Sequence, residues 1–332
     1  MTGLTLKATA TLLLLSLSAI VYAAPTQDAS LRAGESRLYF LDMRGARIVT
    51  TKTDGTDLKV HSSGHRNAVD GLAVDKAAGY IYFSNMGSAL GVGATGSIQR
   101  IGLDGSGLTT LVGGGKTHTP KQLILVDMGS GQKKLYWGDR EGMKVMRANI
   151  DGSQLETVVD TKSAACKDEK CKMVVGVAVD VAGGWVYWTQ KGGSSAMEGS
   201  LNRAPIAMKT SETPGKRSDI QVLLTGLPEP IDLRWVKEMG AIYWTDRGHV
   251  QNGNSVNRLA IGGAKSKAEI TAKMQTLFTG MSDAIGIAID HAGNRVWATD
   301  LAGSLWTSDL EGKGKKKIGG GFGFLTGLDY VE

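Results

Sequence analysis

The sequence is poor in the residues from which metal centres are usually built. Its 332 residues include two cysteines and five histidines, and no two of the histidines have metal-ligand spacing. We therefore expect no bound metal ion. The sequence also lacks an Asn-x-Ser/Thr sequon, so we expect no N-linked glycan.

Long hydrophobic runs are also missing, apart from one near the start of the chain. Lys7 precedes an apolar stretch from Leu12 to Val21, and Ala23 provides a small residue for signal peptidase. This pattern predicts a signal peptide over residues 1–23 and a location in the secretory pathway or outside the cell. A retained anchor is the alternative. Because the stretch is too short to cross a bilayer comfortably, we expect no stable membrane anchor.

Motifs of common enzyme classes are absent as well. The sequence has no Gly-x-Ser-x-Gly elbow, and the glycine-rich run from Gly113 to Thr117 lacks the spacing of a phosphate-binding loop. Much of the formal net charge of +6 comes from the run Lys313–Lys317, which has no interleaved aromatic residues to stack on bases. We expect a solvated turn there and no nucleic-acid partner.

The sequence does contain one motif in six copies. Its fullest form is Tyr-Trp-Thr-Asp, and the copies are Tyr39–Asp42, Tyr82–Asn85, Tyr136–Asp139, Tyr187–Gln190, Tyr243–Asp246 and Trp297–Asp300. Successive copies begin about 43 to 56 residues apart, which is the spacing of propeller blades rather than of helical solenoids.

Each copy lies in a unit of four short β-prone runs. An apolar run ending in aspartate precedes it, as in Gly71–Asp75, and two further runs follow, bounded by Asp-Gly turns. The pattern predicts an all-β fold, a single six-bladed β-propeller over residues 37–332 with a lead-in over residues 24–36. The first unit lacks its apolar run, and Thr326–Tyr330 matches the missing one. We therefore expect the C-terminal strand to pair into the N-terminal blade and close the ring.

Repeated carboxylates and the cysteine pair have structural interpretations. Asp75, Asp127, Asp180 and Asp290 recur at one position of the unit, which favours turns held by side-chain hydrogen bonds over a catalytic carboxylate ring. Cys166 and Cys171 lie between the third and fourth units. In a secretory compartment we expect a disulfide between them, and a reactive thiol is the alternative.

The repeats resemble those of the six-bladed YWTD propellers of the low-density lipoprotein receptor family, over nearly all of the mature chain. The resemblance rests on the apolar run, the Tyr-Trp-Thr-Asp motif and a later arginine with Asp-Gly-Ser, as in Arg147 and Asp151–Ser153. No cysteine-rich or growth-factor-like module accompanies the repeats. We therefore expect a stand-alone propeller rather than a receptor.

The family topology implies that two sets of loops converge on one mouth of the central channel. An apolar pocket with a few convergent polar groups is the usual form of a small-molecule site. The alternative is that these are ordinary polar loop residues. The catalytic candidates are Arg44, Arg140, Lys191 and Arg247, and the substrate-binding candidates are Met86, His118, Gln122, Met173, Glu229, Asp283, Phe322 and Phe324.

A secreted propeller without a metal constellation or nucleophile also resembles the fungal hetero-Diels–Alderases of tropolone–sesquiterpenoid pathways. That resemblance implies a cofactor-free [4+2] reaction between a polyketide-derived quinone methide and the terpene alkene of a humulene-type sesquiterpene. The cations would polarise the carbonyl oxygen, and methionine and phenylalanine would hold the hydrocarbon. Two alternatives remain. One is a non-catalytic extracellular module that binds a protein partner, and the other is a calcium-dependent lactonase-like propeller, which the apolar inner strands disfavour.

Overall fold

The computed structural model describes residues 35–88, 93–166, 168–262 and 267–332. The predicted signal peptide and the lead-in before residue 35 lie outside these residues. The described residues form six four-stranded antiparallel sheets, and the innermost strands of neighbouring sheets contact one another in a closed ring. This confirms the six-bladed β-propeller.

Each blade runs from an inner strand at the channel to an outer strand at the rim. Blade 1 contains β1 (Arg37–Asp42), β2 (Arg47–Lys52) and β3 (Lys59–Ser63), and blade 2 contains β4 (Val69–Asp75), β5 (Tyr80–Asn85), β6 (Ser97–Gly102) and β7 (Thr109–Val112). Blade 3 contains β8 (Pro120–Asp127), β9 (Lys133–Asp139), β10 (Lys144–Asn149) and β11 (Glu156–Asp160). Blade 4 contains β12 (Val174–Asp180), β13 (Trp185–Gln190), β14 (Gly199–Pro205) and β15 (Gln221–Leu227).

The last two blades and the closing strand complete the ring. Blade 5 contains β16 (Pro230–Val236), β17 (Ala241–Asp246), β18 (Ser255–Ala260) and β19 (Met274–Phe278), and blade 6 contains β20 (Ala284–Asp290), β21 (Arg295–Asp300), β22 (Leu305–Ser308) and β23 (Lys316–Gly319). The closing strand is β24 (Leu325–Val331), and the helical segments of the described part are α1 (Lys267–Ala272) and two 3₁₀ turns, Glu169–Lys172 and Lys237–Met239.

The ring closes as the sequence predicts. Strand β24 pairs antiparallel with β1, placing Leu328 opposite Phe40 and Val331 opposite Arg37. The sheet order β24-β1-β2-β3 makes β24 the inner strand of blade 1. The two ends of the described chain therefore share one sheet, and no inner edge remains open there.

The aromatic half of the repeated motif fills the spaces between blades. Trp137, Trp188 and Trp244 are completely buried, as are Tyr136 and Tyr243. Six hydrophobic clusters each combine residues of two neighbouring blades, so the core is divided among the six interfaces. Burying such an aromatic side chain stabilises the fold by about 2–3 kcal/mol.

The threonine of the motif joins neighbouring blades. The Thr189 hydroxyl accepts a hydrogen bond from the N–H of Gly176 in its own blade and donates to the carbonyl of Ile231 in the next blade, both at 2.8 Å. Thr299 forms the same bridge between Gly286 and Thr326. Each bridge satisfies two buried backbone groups that would otherwise lack partners.

The recurring aspartates hold turns. Asp75, Asp180 and Asp290 accept hydrogen bonds from the backbone N–H three residues later, at 2.8–3.1 Å, and Asp127 accepts from that of Gly129. The hydrogen bonds agree with the structural interpretation of the repeated carboxylates.

The disulfide is also present, with 2.14 Å between the sulfurs of Cys166 and Cys171. It lies in the connection between blades 3 and 4. Among the described residues, no helix has the length and apolar character needed to cross a membrane.

Two ends of the channel must be distinguished. We call the end at which the six inner strands begin the upper mouth, and the end at which they finish the lower mouth. The loops that follow the Tyr-Trp-Thr-Asp motifs return to the upper mouth, where Lys191 N–H donates to the Met173 carbonyl and Arg247 N–H to that of Glu229. The predicted site residues therefore belong to upper-mouth segments.

Candidate functional site

The second residue of each inner strand stands at the same level of the channel. The strand register aligns these residues. In every blade the first residue of the inner strand pairs with the last residue of the Tyr-Trp-Thr-Asp motif, so the second residues lie at equivalent positions. We call this set the second-position ring, and it consists of Asp70, Lys121, Val175, Ile231, Ile285 and Thr326.

The second-position ring is divided by polarity. Val175, Ile231 and Ile285, from blades 4 to 6, pack in one buried cluster with Leu301 of an upper-mouth loop. In blades 2 and 3 the same positions hold an ion pair, with 2.6 Å between Lys121 Nζ and Asp70 Oδ2. The floor of the upper mouth therefore has an apolar half and a charged half.

Lys121 experiences a strongly perturbed environment. Burial lowers its pKa to about 8, Asp70 opposes this shift, and the guanidiniums of Arg140 and Arg247 contribute to it. Its Nζ also donates to Met86 Sδ at 2.9 Å. Arg140 and Arg247 follow the motifs of blades 3 and 5, so cations from two other segments of the ring act on Lys121.

A buried carboxylate organises the blade 4 and blade 5 side of the upper mouth. Glu229 accepts a hydrogen bond from Lys191 Nζ at 2.8 Å and another from Arg247 Nη2. Burial raises the pKa of Glu229, but Lys191 and Arg247 outweigh burial and hold it below its ordinary value. Burial lowers the pKa of Lys191 despite the Glu229 contact, with further lowering from Arg247 and Arg140.

The remaining predicted cations lie nearer the surface. Arg140 pairs with Glu141, with 2.6 Å between Nε and Oε1. Arg44 places its guanidinium 5.3 Å from the centre of the Phe324 ring. Side chains of Arg140 and Arg247 are 27% and 26% exposed, so both can reach a ligand in the mouth.

Asp283 is connected to the same network. Its Oδ1 lies 3.0 Å from His249 Nε2 and 3.8 Å from Arg247 Nε. The structure thus brings Lys191, Glu229, Arg247 and Asp283 together, and it adds His249, which the sequence did not single out for this site.

Other predicted residues are placed differently from the expectation. Gln122 was expected in a loop but lies in β8, fully buried, with a long 3.5 Å contact from Nε2 to Asp70 Oδ1. Phe322 stacks on Phe40 at 5.9 Å and joins the cluster between blades 6 and 1, because the adjacent Gly319 leaves room for its ring. Its ring is therefore partly buried and packs against the core between these blades.

His118 and Met173 lie in upper-mouth connections, and their backbone atoms form the contacts there. The N–H of His118 donates to Asp139 Oδ2 at 2.8 Å, and the carbonyl of Met173 accepts from Lys191 at 3.1 Å. These contacts fix the loops.

A second charged pair lies in the inner strands and was missed. Asp232 and Arg234 of β16 form an ion pair at 2.8 Å, and Asp232 also accepts the N–H of Ile287 in blade 6. Burial raises the pKa of Asp232 to about 6. The sequence carried a signal, since Ile231–Trp235 holds an aspartate and an arginine where the inner runs of blades 2, 4 and 6 hold glycine and alanine.

In chemical terms the upper mouth is an opening lined by cations and their paired carboxylates, above a floor with one apolar half and one charged half. The partly exposed guanidiniums of Arg140 and Arg247 can donate hydrogen bonds to an anionic or carbonyl oxygen. The apolar half of the second-position ring can contact hydrocarbon.

Comparison with known proteins places the chain in a family of propellers. No family model matches it. The chain is 41% identical over 310 residues to "Low-density lipoprotein receptor-related protein 1" of Pyricularia oryzae, a match that covers 89% of this chain and 98% of that protein. The chain therefore belongs to the family of this Pyricularia protein.

A second relative is longer than this chain. The "3-hydroxyacyl-CoA dehydrogenase-like protein LAM1" of Cochliobolus heterostrophus is 34% identical over 256 residues, covering 75% of this chain and 53% of that protein. The match thus spans about half of that relative's length.

Solved structures share the fold at low sequence identity. A chain of a nidogen/laminin complex has a TM-score of 0.66 at 18% identity, with 90% of this chain and 98% of that chain covered. TolB from Acinetobacter baumannii has a TM-score of 0.57 at 12% identity, covering 89% of this chain and 66% of that chain. These likenesses concern the fold alone.

Proposed function

We propose that the upper mouth binds a small molecule that is oxygen-rich and acidic at one end and hydrocarbon at the other. The observation that carries this proposal is the divided second-position ring, with Lys121 and Asp70 on one side and Val175, Ile231 and Ile285 on the other. A ligand of matching polarity buries its hydrocarbon on the apolar half and presents its oxygen to Arg140 and Arg247.

The reaction we propose at this site is the hetero-Diels–Alder joining of a tropolone-type quinone methide with a humulene-type sesquiterpene. The C=C–C=O unit of the quinone methide and the alkene of the terpene form one C–C bond and one C–O bond. One C=C remains in the new ring, no atom leaves and no proton moves. The reaction therefore needs alignment of two partners rather than a cofactor or a general base.

The four cations predicted as catalytic candidates each have a role in this proposal. Arg140 and Arg247 donate hydrogen bonds to the carbonyl oxygen as negative charge develops on it. Glu229 and Lys191 position Arg247 through their shared contacts. Arg44 and Phe324 form the outer wall beside the hydrocarbon.

An activity assay tests the reaction directly. The mature protein is mixed with a quinone-methide precursor and a humulene-type alcohol, and the products are separated by chiral chromatography. A single enantioenriched adduct above the spontaneous background is expected. If only racemic background product forms, the proposed cyclase activity is refuted. Binding of tropolone in calorimetry would still support the small-molecule site.

Arginine variants test the assignment of the site. We expect Arg140→Gln and Arg247→Gln each to lower the adduct rate and the affinity for tropolone by about tenfold or more, because each removes a donor to the developing charge. Arg295→Gln, at an exposed position at the start of β21, is the matched control. Equal rates in all three variants would refute the roles of Arg140 and Arg247.

A protein-binding module is the second candidate, favoured by apolar side chains on the upper rim. Met197, Val250 and Phe324 are exposed there although all three are large and hydrophobic. A photocrosslinking residue at Val250 should then capture one specific partner that the same residue at Val60, on outer strand β3, does not. Equal capture at both positions would dismiss this candidate.

Secretion belongs to the same proposal. Removal of residues 1–23 in a secretory host predicts a mature N-terminus at Ala24. N-terminal sequencing of the protein recovered from the culture medium checks this, and a product that retains residue 1 would contradict it.

A further inference from the structure

A cavity of about 660 Å³ opens at the lower mouth, at the end of the channel opposite the proposed reaction site. Its walls come from the later residues of inner strands β4, β8, β12 and β16, with one residue of β24. None of the second-position ring residues lines it. The cavity is therefore separate from the upper mouth.

The walls of this cavity are mainly aliphatic. They include Val74, Ile124, Leu125 and Val179, all of which remain partly accessible, and the indole of Trp235. Trp235 is held in place because its ring stacks on Tyr187, with 5.6 Å between ring centres and 16° between planes. A preformed apolar surface with a fixed aromatic wall is typical of sites for small hydrophobic ligands.

One arginine supplies directed polarity in the cavity. Arg234 donates through Nη1 to Asp232 Oδ1 and the Leu233 carbonyl, and through Nη2 to the Leu328 carbonyl at 2.9 Å. Within the described part of the chain these bonds use three of its five N–H groups. Its side chain is 15% exposed and lines the cavity beside the apolar walls.

The charge balance of the cavity disfavours an anionic ligand, because Asp127, Asp180 and Asp329 line it against the two cations Arg234 and Lys237. Arg234 is already compensated by buried Asp232 at 2.8 Å. Asp329, the β24 residue of the lining, is partly buried, and its carboxylate accepts the N–H groups of Val74 and Tyr330. An added carboxylate would meet these two acidic groups near Arg234, whereas a carbonyl or ether oxygen takes a guanidinium N–H without adding charge.

We propose that the lower mouth is a second binding site, for a neutral, hydrocarbon-rich small molecule with one carbonyl or ether oxygen that accepts from Arg234. This site does not depend on the function proposed for the upper mouth. The cavity lies in the size range of sites for drug-sized ligands.

Titration of the whole mature protein with Nile red tests this site. Nile red is neutral, carries one carbonyl group, and has about 24 non-hydrogen atoms, which suits a cavity of this class. We expect saturable binding with one dye per chain and no displacement by octanoate, an anionic chain. An absence of saturable binding would overturn the site, and displacement by octanoate would overturn its neutral ligand class.

Variants at both mouths locate the dye. Ala182→Trp narrows the lower cavity from an exposed position and should weaken Nile red binding by about tenfold, while Ala196→Trp, exposed in an upper-mouth loop, should leave it unchanged. Arg234→Lys keeps the charge beside Asp232 but removes the planar set of donors, so weaker binding is expected. Circular dichroism checks that each variant is folded. Loss of binding in Ala196→Trp alone, or displacement of the dye by tropolone, would place the dye at the upper mouth and refute the proposal.

Discussion

Asp232 is a buried carboxyl group between the inner strands of blades 5 and 6. It accepts hydrogen bonds from the N–H groups of Leu233 at 2.8 Å and Ile287 at 3.2 Å and pairs with Arg234. Burial nevertheless raises its pKa to about 6, whereas an aspartate in an unfolded chain titrates near 3.9. The folded protein therefore binds this proton more tightly than the unfolded chain does.

The contribution of Asp232 to the free energy of unfolding should fall as the pH rises from about 4 to about 6, because in this interval its carboxyl group holds more proton in the folded state than in the unfolded chain. The contribution of Asp232 is of the order of 3 kcal/mol. Asp246, whose pKa burial raises to about 7, adds a decrease in the same direction. Asp232→Asn should therefore flatten the profile without abolishing its slope, as measured by urea unfolding between pH 4 and pH 7.

Asp104→Asn provides the comparison for that experiment. Asp104 is an exposed hairpin carboxylate whose pKa is lowered by the N–H and hydroxyl of Ser106. Asp104→Asn should lower the free energy of unfolding at pH values above the low pKa of Asp104. It should leave the decline between pH 4 and pH 6 in place. Equal slopes for Asp232→Asn and the parent protein would contradict the buried proton at Asp232.

At the scale of single elements, the second strand of a blade also binds the blade beside it. The hydroxyl of Thr189 contacts Gly176 and Ile231, which belong to neighbouring inner strands. We expect Thr189→Val to lower the free energy of unfolding by about 2–3 kcal/mol, because it leaves a buried N–H and a buried carbonyl without partners. Thr189→Ser keeps the hydroxyl and should cost about 1 kcal/mol, the loss of one methyl group. Chemical denaturation measures both, and a larger loss for the serine variant would exclude the bridge as the cause.

Glycine at the third position of an inner strand allows neighbouring blades to approach each other. A Cβ at Gly176 would lie 2.2 Å from the carbonyl oxygen of Ile231, and one at Gly286 would lie 2.4 Å from that of Thr326. Gly176→Ala should therefore destabilise the protein by about 3 kcal/mol through backbone displacement. Gly215→Ala, where the nearest atom would be 3.7 Å away, should change stability by less than about 0.5 kcal/mol. Thermal melting of the two variants checks this, and similar melting temperatures would show that the inner strands yield without strain.

Sequence reasoning worked best for the elements and least well for the contacts between them. The repeat in Tyr243–Asp246 predicts the second strand of its blade, and the aspartate that ends each apolar run, such as Asp75, predicts a turn. Both predictions depend only on local spacing in the sequence. The prediction that Gln122 lies in a loop was wrong, because β8 begins at Pro120 and therefore includes Gln122. The pairing of Glu229 with both Lys191 and Arg247 depends on three segments of two blades, and such a meeting is set by ring geometry rather than by neighbouring residues.

At the scale of the molecule, the stability of the ring depends on one late strand. Strand β24 is the inner strand of blade 1 and contacts the inner strands of blades 2 and 6. Deleting residues 325–332 should remove the cooperative melting transition, because β1 and two blade interfaces lose their partner. A truncated protein that melts like the parent would disprove the closure.

A circular permutant is the control for that deletion. Because Val331 lies opposite Arg37, residues 325–332 can be joined by a short turn to residue 36 without changing the pairing. The permutant should recover the parental melting temperature. A permutant that does not recover the parental melting temperature would mean that the order of the strands in the chain, and not only their presence, is required.

The pairing of β24 with β1 also has a consequence in time. Phe324, immediately before β24, donates its N–H to Asp42 at the end of β1, although the two residues are 282 positions apart. At ribosomal speeds of about 5–20 residues per second, β1 waits about 15–60 s for its partner to be made. During that interval the nascent protein is an unclosed arc with a bare strand at its leading edge. The unpaired edge of β1 is therefore open to wrong pairing during synthesis and is covered when the last strand arrives.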